Sequence, residues 1–355
     1  MVVSLPSIRK IEGPIFITGH SGFKGTWLTL LLEELGIVAV GFSLPPLKQS
    51  LYQRAERLGR IPEVFGDIRD LDLLREAFEK YKPVHVIHLA AEPLVLKSYA
   101  TPMLTFETNV LGTANVLEVA TYSDTVRTVA CITTDKVYAN DNSNRRFLEG
   151  DPLRGKDPYS ASKVASESVI DAWRNLAPLR NNARVLSFRS GNVIGGGDYS
   201  ENRLMPDIIR NIFEKKPLTI RNLEATRPWQ HVLDPLIGYL SAMEYSCSVT
   251  NKHVEAFNFG PSEESLSVRE VLRICKESKP ELNLSLFEEA NAGSYEAIVL
   301  QLNSTRANSI LGWKPQVTQE EAVISTLAWW EKHLNLGASA EKLCKDEIQK
   351  LLRVV

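Results

Sequence analysis

The stretch Ile15-Phe16-Ile17-Thr18-Gly19-His20-Ser21-Gly22-Phe23-Lys24-Gly25 decides how the rest of the chain is read. A short apolar run stops at three glycines, and an amphipathic run over residues 27–35 begins at once. That order predicts a buried strand, a tight turn and a helix. Such a turn aims backbone N–H groups and the positive end of a helix dipole at one point, which suits a diphosphate. Gly19 makes the turn, Gly22 lets the backbone approach the phosphates, and Gly25 lets the helix pack close on the strand. Glycine triplets also occur in ordinary strand-to-helix turns. The weight here comes from the position between a strand and a helix.

Working outward, alternation continues. Strands are predicted over residues 38–43, 64–70, 84–91, 128–134 and 184–189, and helices over 71–81, 105–122 and 159–173. Strands alternating with helices imply a doubly wound parallel sheet with helices on both faces, a Rossmann-type α/β fold. Ligands of such sheets bind at the carboxyl ends of the strands. Those ends hold the glycine loop, Ser43, Asp67, Ala90-Ala91 and Thr134-Asp135-Lys136. An NAD site commonly has an acid at the end of the second strand, but here that strand ends in Ser43, which can hold a ribose hydroxyl. The residues alone therefore leave NAD and NADP open.

The division expected is a cofactor domain over residues 1–189 with parts of 230–260 returning to it, a smaller α/β substrate lobe over 190–335, and a helical tail over 336–355 that docks on the body. A length of 355 residues, 44% of them hydrophobic, supports a large core. A net charge of -2 gives no global field to recruit nucleic acid or an anionic membrane. The four cysteines are widely spaced, which suggests neither a zinc site nor a disulfide framework and favours a reducing, cytoplasmic setting. The first 13 residues do not read as a signal peptide, and no run approaches membrane-spanning length. No His, Cys or carboxylate set has metal-ligand spacing, and His85 and His88 on a buried strand read as core histidines.

The second chemical signal is Tyr159-Ser160-Ala161-Ser162-Lys163. A Tyr and a Lys four apart share a helix face. An ammonium beside a phenol favours the phenolate, which can act as a base on a substrate hydroxyl, and the Lys can also bond a nicotinamide ribose. Alone, the pair matches many solvated helix faces. With an upstream glycine loop and Thr134 closing the fifth strand, it reads as a site.

Together these motifs resemble the extended short-chain dehydrogenase/reductases over nearly the whole chain. Five segments are similar to the CDP-glucose 4,6-dehydratases within them: residues 19–25, Thr134-Asp135-Lys136-Val137-Tyr138, Gly191-Asn192-Val193-Ile194-Gly195-Gly196-Gly197-Asp198, Ala225-Thr226-Arg227-Pro228-Trp229-Gln230-His231-Val232, and Leu311-Gly312-Trp313-Lys314-Pro315. The resemblance implies NAD held by Gly19, His20, Gly22, Phe23, Lys24, Gly25, Ser43, Asp67, Ile68, Leu89, Ala90, Ala91, Thr108, Tyr159 and Lys163. It implies catalysis by Thr134, Asp135, Lys136, Tyr159 and Lys163, with Asp135 the acid for the C6 hydroxyl and Lys136 the base at C5. For the sugar nucleotide it points to Asn192, Arg203, Arg227, Gln230 and Arg306. His20 has an equal reading as a loop brace, and His231 as a structural residue.

Glu92 departs from the pattern, since a carboxylate near a diphosphate repels it and an uncharged Gln is expected there. The alternatives are an NDP-sugar 4-epimerase, which has no use for Asp135 and Lys136, and a silent dinucleotide sensor, which has no use for a tuned phenol. A homodimer is expected through the helices over 105–122 and 159–173.

Overall fold

Ile15, Phe16, Ile17 and Thr18 form strand β1 (Ile15–Thr18), with every side chain fully buried. Burial on both faces is what a parallel central strand requires. Alternate side chains point to opposite faces. Ile15 and Ile17 join one core with Ile87, Ile132 and Phe188, while Phe16 joins the other with Val40, Val86 and Val129. The computed structural model describes residues 8, 11–248, 255–280, 287–289 and 298–353. Most of the first 13 residues lie outside these.

The chain then runs α1 (Phe23–Leu35), β2 (Ala39–Ser43), α2 (Leu51–Arg54), β3 (Glu63–Phe65), α3 (Leu71–Tyr81) and β4 (His85–His88). Next come α4 (Val95–Ala100), α5 (Pro102–Phe106), a π-helical turn (Glu107–Leu111), α6 (Gly112–Tyr122), β5 (Thr128–Ile132), α7 (Pro158–Leu176) and β6 (Arg184–Ser190). The helix expected over 105–122 is thus interrupted. The π turn inserts a residue without changing the apolar stripe that identifies the helix.

The second half contributes β7 (Val193–Ile194), α8 (Leu204–Glu214), β8 (Leu218–Ile220), β9 (Thr226–Arg227), β10 (Gln230–His231), α9 (Leu233–Ser248) and β11 (Ala256–Phe259). It ends with β12 (Leu266–Ser267), α10 (Val268–Ser278), β13 (Phe287–Glu289), α11 (Thr305–Leu311), α12 (Gln319–Leu334) and α13 (Ala340–Leu352). Seven strands make one sheet in the order β11-β6-β5-β4-β1-β2-β3, all parallel. The order reverses between β1 and β4, and a crevice opens there at the carboxyl ends. The remaining strands form two-stranded pairs beside it, β10 with β7, β12 with β9 and β13 with β8.

Local chemistry sets the helix starts. Asp157 caps α7 in a reciprocal box with Ser160, and Pro158 occupies the first turn. Thr318 with Glu321 does the same for α12. The tail helix α13 docks on the body. Lys345 reaches Glu33 at 2.8 Å, Gln349 reaches Glu34 at 3.0 Å, and Glu347 accepts from His231 at 3.0 Å. His231 therefore has the structural of its two readings.

Beneath the sheet's carboxyl edge lies a buried ion pair. Arg189 Nε and Nη2 donate to the two Glu167 oxygens at 2.9 and 2.8 Å, and Thr133 Oγ1 donates to the same carboxylate at 2.5 Å. Removing one partner strands a buried charge. R189M is expected to lower the free energy of unfolding by about 3–5 kcal/mol in urea titrations, with much of the loss recovered in R189M/E167L. Equal losses in both would show that packing, not charge, holds this corner.

Candidate active site

The glycine turn works by exclusion. A Cβ on Gly25 would sit 2.2 Å from the Gly19 carbonyl oxygen, so α1 packs directly on the turn. Gly19 has φ +76° and no room beside the Ala90 backbone, with Ala90 N 2.8 Å from a built Cβ. Gly22 starts α1 without a side-chain cap, so the first-turn N–H groups have no side-chain acceptor. They face a cleft of about 1350 Å³ that runs from Ser43 and Asp67 past Thr134 to Arg203 and Arg227.

At one end of the cleft, Ser43 Oγ donates to Ser21 Oγ at 2.7 Å, so two hydroxyls stand where an acid is common. Asp67 is held in a fork by Arg69, with contacts of 2.8–3.1 Å that keep its carboxyl below the usual range. These residues, the uncapped helix start and the glycines of the turn fit a dinucleotide. Of the fifteen residues expected at NAD, all line this cleft except His20. His20 is fully buried behind the loop, its Nε2 3.0 Å from Glu63 and its ring edge-on to Tyr52. Bracing the turn is the role the geometry gives that side chain.

At the centre stand the groups expected to carry chemistry. Thr134 lies two residues beyond β5 and caps a short turn (Asp135–Val137) by accepting from Lys136 N at 3.3 Å. Its hydroxyl donates to Asp135 Oδ1 at 3.0 Å and also lies beside the Tyr159 phenol, so it connects the two. Asp135 is 1% exposed, and its Oδ2 has no hydrogen-bond partner among the described residues. Burial pushes this carboxyl up to about 6, against the pull of Lys136, Thr134 and Arg227.

Tyr159 differs from expectation. Burial pushes the phenol up to about 12, with the Thr134 hydroxyl and Arg203 opposing. The ammonium of Lys163 does not lower it, because Nζ turns to the Ile132 carbonyl at 3.3 Å. Burial also brings Lys163 down to about 8. Here desolvation outweighs the charge pairing that i, i+4 spacing suggests.

The sugar-nucleotide residues divide. Asn192, Arg203 and Arg227 line the cleft, with Arg203 3.3 Å from Asp198 and Arg227 Nη1 bonded to the Thr226 and Ile298 carbonyls. Gln230 and Arg306 do not line it. Gln230 Nε2 is committed to the Phe259 carbonyl at 2.9 Å, and Arg306 to the Ala256 carbonyl at 3.1 Å, with Glu149 at 3.6 Å. Both tie β11 to its surroundings. Glu92 lines the cleft as a neutralised charge, since Lys97 Nζ lies 2.8 Å away.

Two contributors were not singled out from sequence. Asn109, in the π turn, accepts from Glu92 N at 2.8 Å and donates to Ser162 Oγ at 2.9 Å, joining the loop after β4 to the Tyr159 helix. An Asn inside an apolar helix stripe is the only signal it gives. Ser190 closes β6 at the cleft floor, bonded to Tyr239. His85 and His88 are buried core residues, lowered by desolvation to about 4 and about 3. Among the described residues no metal-binding cluster occurs, and no helix is long and apolar enough to cross a membrane. All four cysteines are unpaired.

A family model described as GDP-mannose 4,6 dehydratase matches residues 16–326. A CDP-glucose 4,6-dehydratase of Salmonella typhimurium is 37% identical over 321 residues, 89% of each chain. A dTDP-glucose 4,6-dehydratase of Haemophilus influenzae is 30% identical over 340 residues, 89% of this chain and 97% of that one. Two solved structures share the fold. A dTDP-glucose 4,6-dehydratase of Streptomyces venezuelae with NAD bound has a TM-score of 0.80 at 23% identity, over 92% of this chain and 99% of that one. A UDP-glucose 4-epimerase of Thermus thermophilus in complex with NAD has a TM-score of 0.77 at 23% identity, over 90% and 99%.

Asp135 carries a stability signature. Its folded value of about 6 exceeds the ordinary 3.8, so the folded state holds the proton more tightly. This carboxyl's contribution to stability is then largest below about pH 4 and is lost as pH rises through 6. D135N is expected to be about 2–3 kcal/mol more stable than the native chain at pH 7.5 and equal to it near pH 4, by chemical denaturation. No gain at pH 7.5 would contradict this desolvation.

Proposed function

Because the chain belongs to the GDP-mannose 4,6 dehydratase family, we propose that it is an NAD-dependent NDP-sugar 4,6-dehydratase converting CDP-D-glucose to CDP-4-keto-6-deoxy-D-glucose and water. The CDP-glucose assignment draws on the Salmonella relative, 37% identical over 89% of both chains. The observation that carries the reaction class is the Thr134 hydroxyl between Tyr159 and Asp135. An epimerase needs the Tyr159 side alone. A buried acid with a free oxygen serves a sugar that also loses water.

When bound, NAD supplies an acceptor for the C4 hydride and returns that hydride to C6. Tyr159 takes the C4 hydroxyl proton, and Thr134 bonds the same oxygen. Lys163 is assigned to the nicotinamide ribose. The C4 ketone acidifies the C5 proton, which Lys136 removes, and a proton returns to C5 when the hydride reaches C6. Asp135 protonates the departing C6 hydroxyl through Oδ2, for which a carboxyl raised to about 6 retains a useful share of protonated form near neutrality. Asn192, Arg203 and Arg227 are assigned to the sugar diphosphate, for which a guanidinium offers a matched fork.

We assign residues 1–189 with parts of 230–260 to cofactor binding, the rest of 190–335 to the sugar nucleotide, and 336–355 to a helical tail on the body. A homodimer in the cytoplasm completes the reading. Leu96, Tyr99, Met103, Phe106 and Leu111 are exposed large apolar side chains on α4, α5 and the π turn.

In deuterated water with NAD, CDP-glucose is expected to lose one water and gain one deuterium at C5, by mass spectrometry and NMR, with dTDP-, UDP- and GDP-glucose poor substrates. K136M should lower kcat by about 10²- to 10⁴-fold with little change in CDP-glucose binding. A new epimer without water loss would leave the epimerase standing. Light scattering should give twice the chain mass, and M103E/L111E should reduce it to one. A native monomer would remove the dimer from the account.

A further inference from the structure

Three side chains of α7, four residues apart, meet three successive residues at the end of β5. Tyr159 lies beside the Thr134 hydroxyl, Lys163 Nζ donates to the Ile132 carbonyl at 3.3 Å, and Glu167 accepts from Thr133 Oγ1 at 2.5 Å. That spacing puts all three on one helix face. The first two are used by the reaction read above. Glu167 is not: it is buried and does not line the cleft.

The same ion pair reaches the far side of the catalytic turn. Arg189 holds Glu167 through Nε and Nη2, and its Nη1 donates to Tyr138 Oη at 3.1 Å and to the Glu149 carbonyl at 2.9 Å. Tyr138 passes its own proton to Asn258 Oδ1 at 2.6 Å and stacks on Phe147. Tyr138 directly follows the turn Asp135–Val137, and Thr133 precedes its cap, Thr134. Thus Thr134, Asp135 and Lys136 sit between two buried side chains, each bonded to one member of the pair. Hydrogen bonds to an ionised group are short and strong, which suits a fixed mount.

We propose that Glu167 and Arg189 are positioning residues for the reaction, Glu167 setting the entry of the catalytic turn through Thr133 and Arg189 setting its exit through Tyr138. The two ends serve different steps. The entry places the Thr134 hydroxyl at the C4 oxygen and so governs oxidation. The exit places Asp135 and Lys136 and so governs loss of water. A displacement of about 1 Å at such groups can cost about 100-fold in rate. The assignment of steps rests on the dehydratase reading above, whereas the mounting of the turn does not.

The test uses full-length variants that leave the ion pair in place. T133V removes the hydroxyl that Glu167 accepts from, and Y138F removes the hydroxyl that Arg189 donates to while keeping the ring. The bond from Arg154 N to the Val137 carbonyl remains in both. Each is expected to lower kcat on CDP-glucose by about 10- to 100-fold with KM nearly unchanged. In a single turnover, T133V should slow the appearance of reduced nicotinamide. Y138F should form it at the native rate and hold it, because water loss is delayed. T133S should recover native behaviour. R189M/E167L, which removes the pair without stranding a charge, should show both defects. Hydrogen exchange read by mass spectrometry gives a measure independent of turnover. The segment 133–138 should exchange about tenfold faster in T133V, Y138F and R189M/E167L, with the rest of the chain unchanged. A native chain that leaves CDP-glucose intact would remove the dehydratase reading, and the exchange rates would still decide the clamp. Native exchange in that segment in all three variants would overturn the proposal. So would faster exchange spread over the whole chain, or the same rate-limiting step in T133V and Y138F.

Discussion

Exclusion of water from the carboxyl ends of β5 and β6 governs the chemistry of this molecule. One physical term acts on every ionisable group there, penalising the charged form. It raises Asp135 and Tyr159 and lowers Lys163 and Lys24. The four groups are thereby drawn from widely separated ordinary values toward neutral pH or held neutral. A site that takes up and gives back protons around one sugar ring needs groups poised in this way. The dry floor depends in turn on the glycine turn, because α1 could not close on it with a Cβ at Gly25.

The same burial explains how the surrounding framework is built. Charges that must stay ionised beneath the cleft are paired completely, as Glu167 is with Arg189 and Thr133. Within the cleft, Asp135 Oδ2 has no hydrogen-bond partner among the described residues. Glu92 lines the cleft but is paired with Lys97, so its charge is balanced locally. The division separates groups that hold shape from groups available for reaction.

Much of this was legible in the sequence where one local pattern has one physical cause. A buried strand meeting glycines and an apolar stripe specified β1, the turn and α1. Tyr159 and Lys163 shared a helix face as their spacing required. Legibility stopped where the cause was three-dimensional. The π turn at Glu107–Leu111 leaves the apolar stripe intact, so the sequence pattern could not show it. Gln230 and Arg306 had suitable side chains, but the carbonyls of β11 engaged them first. Spacing placed an ammonium near the Tyr159 phenol, but it could not show Nζ turning to the Ile132 carbonyl.

The central claim is that oxidation at C4 and elimination across C5 and C6 act on one sugar in one cleft, joined by the Thr134 hydroxyl. Its most direct test follows the hydride. CDP-glucose carrying deuterium at C4 is mixed with unlabelled CDP-glucose bearing a carbon label, and the products are sorted by mass. The account predicts deuterium at C6 of the 4-keto-6-deoxy product, in the same molecules that began with it. Deuterium exchanged between the two populations, or retained at C4, would contradict a single-site sequence of oxidation, elimination and reduction.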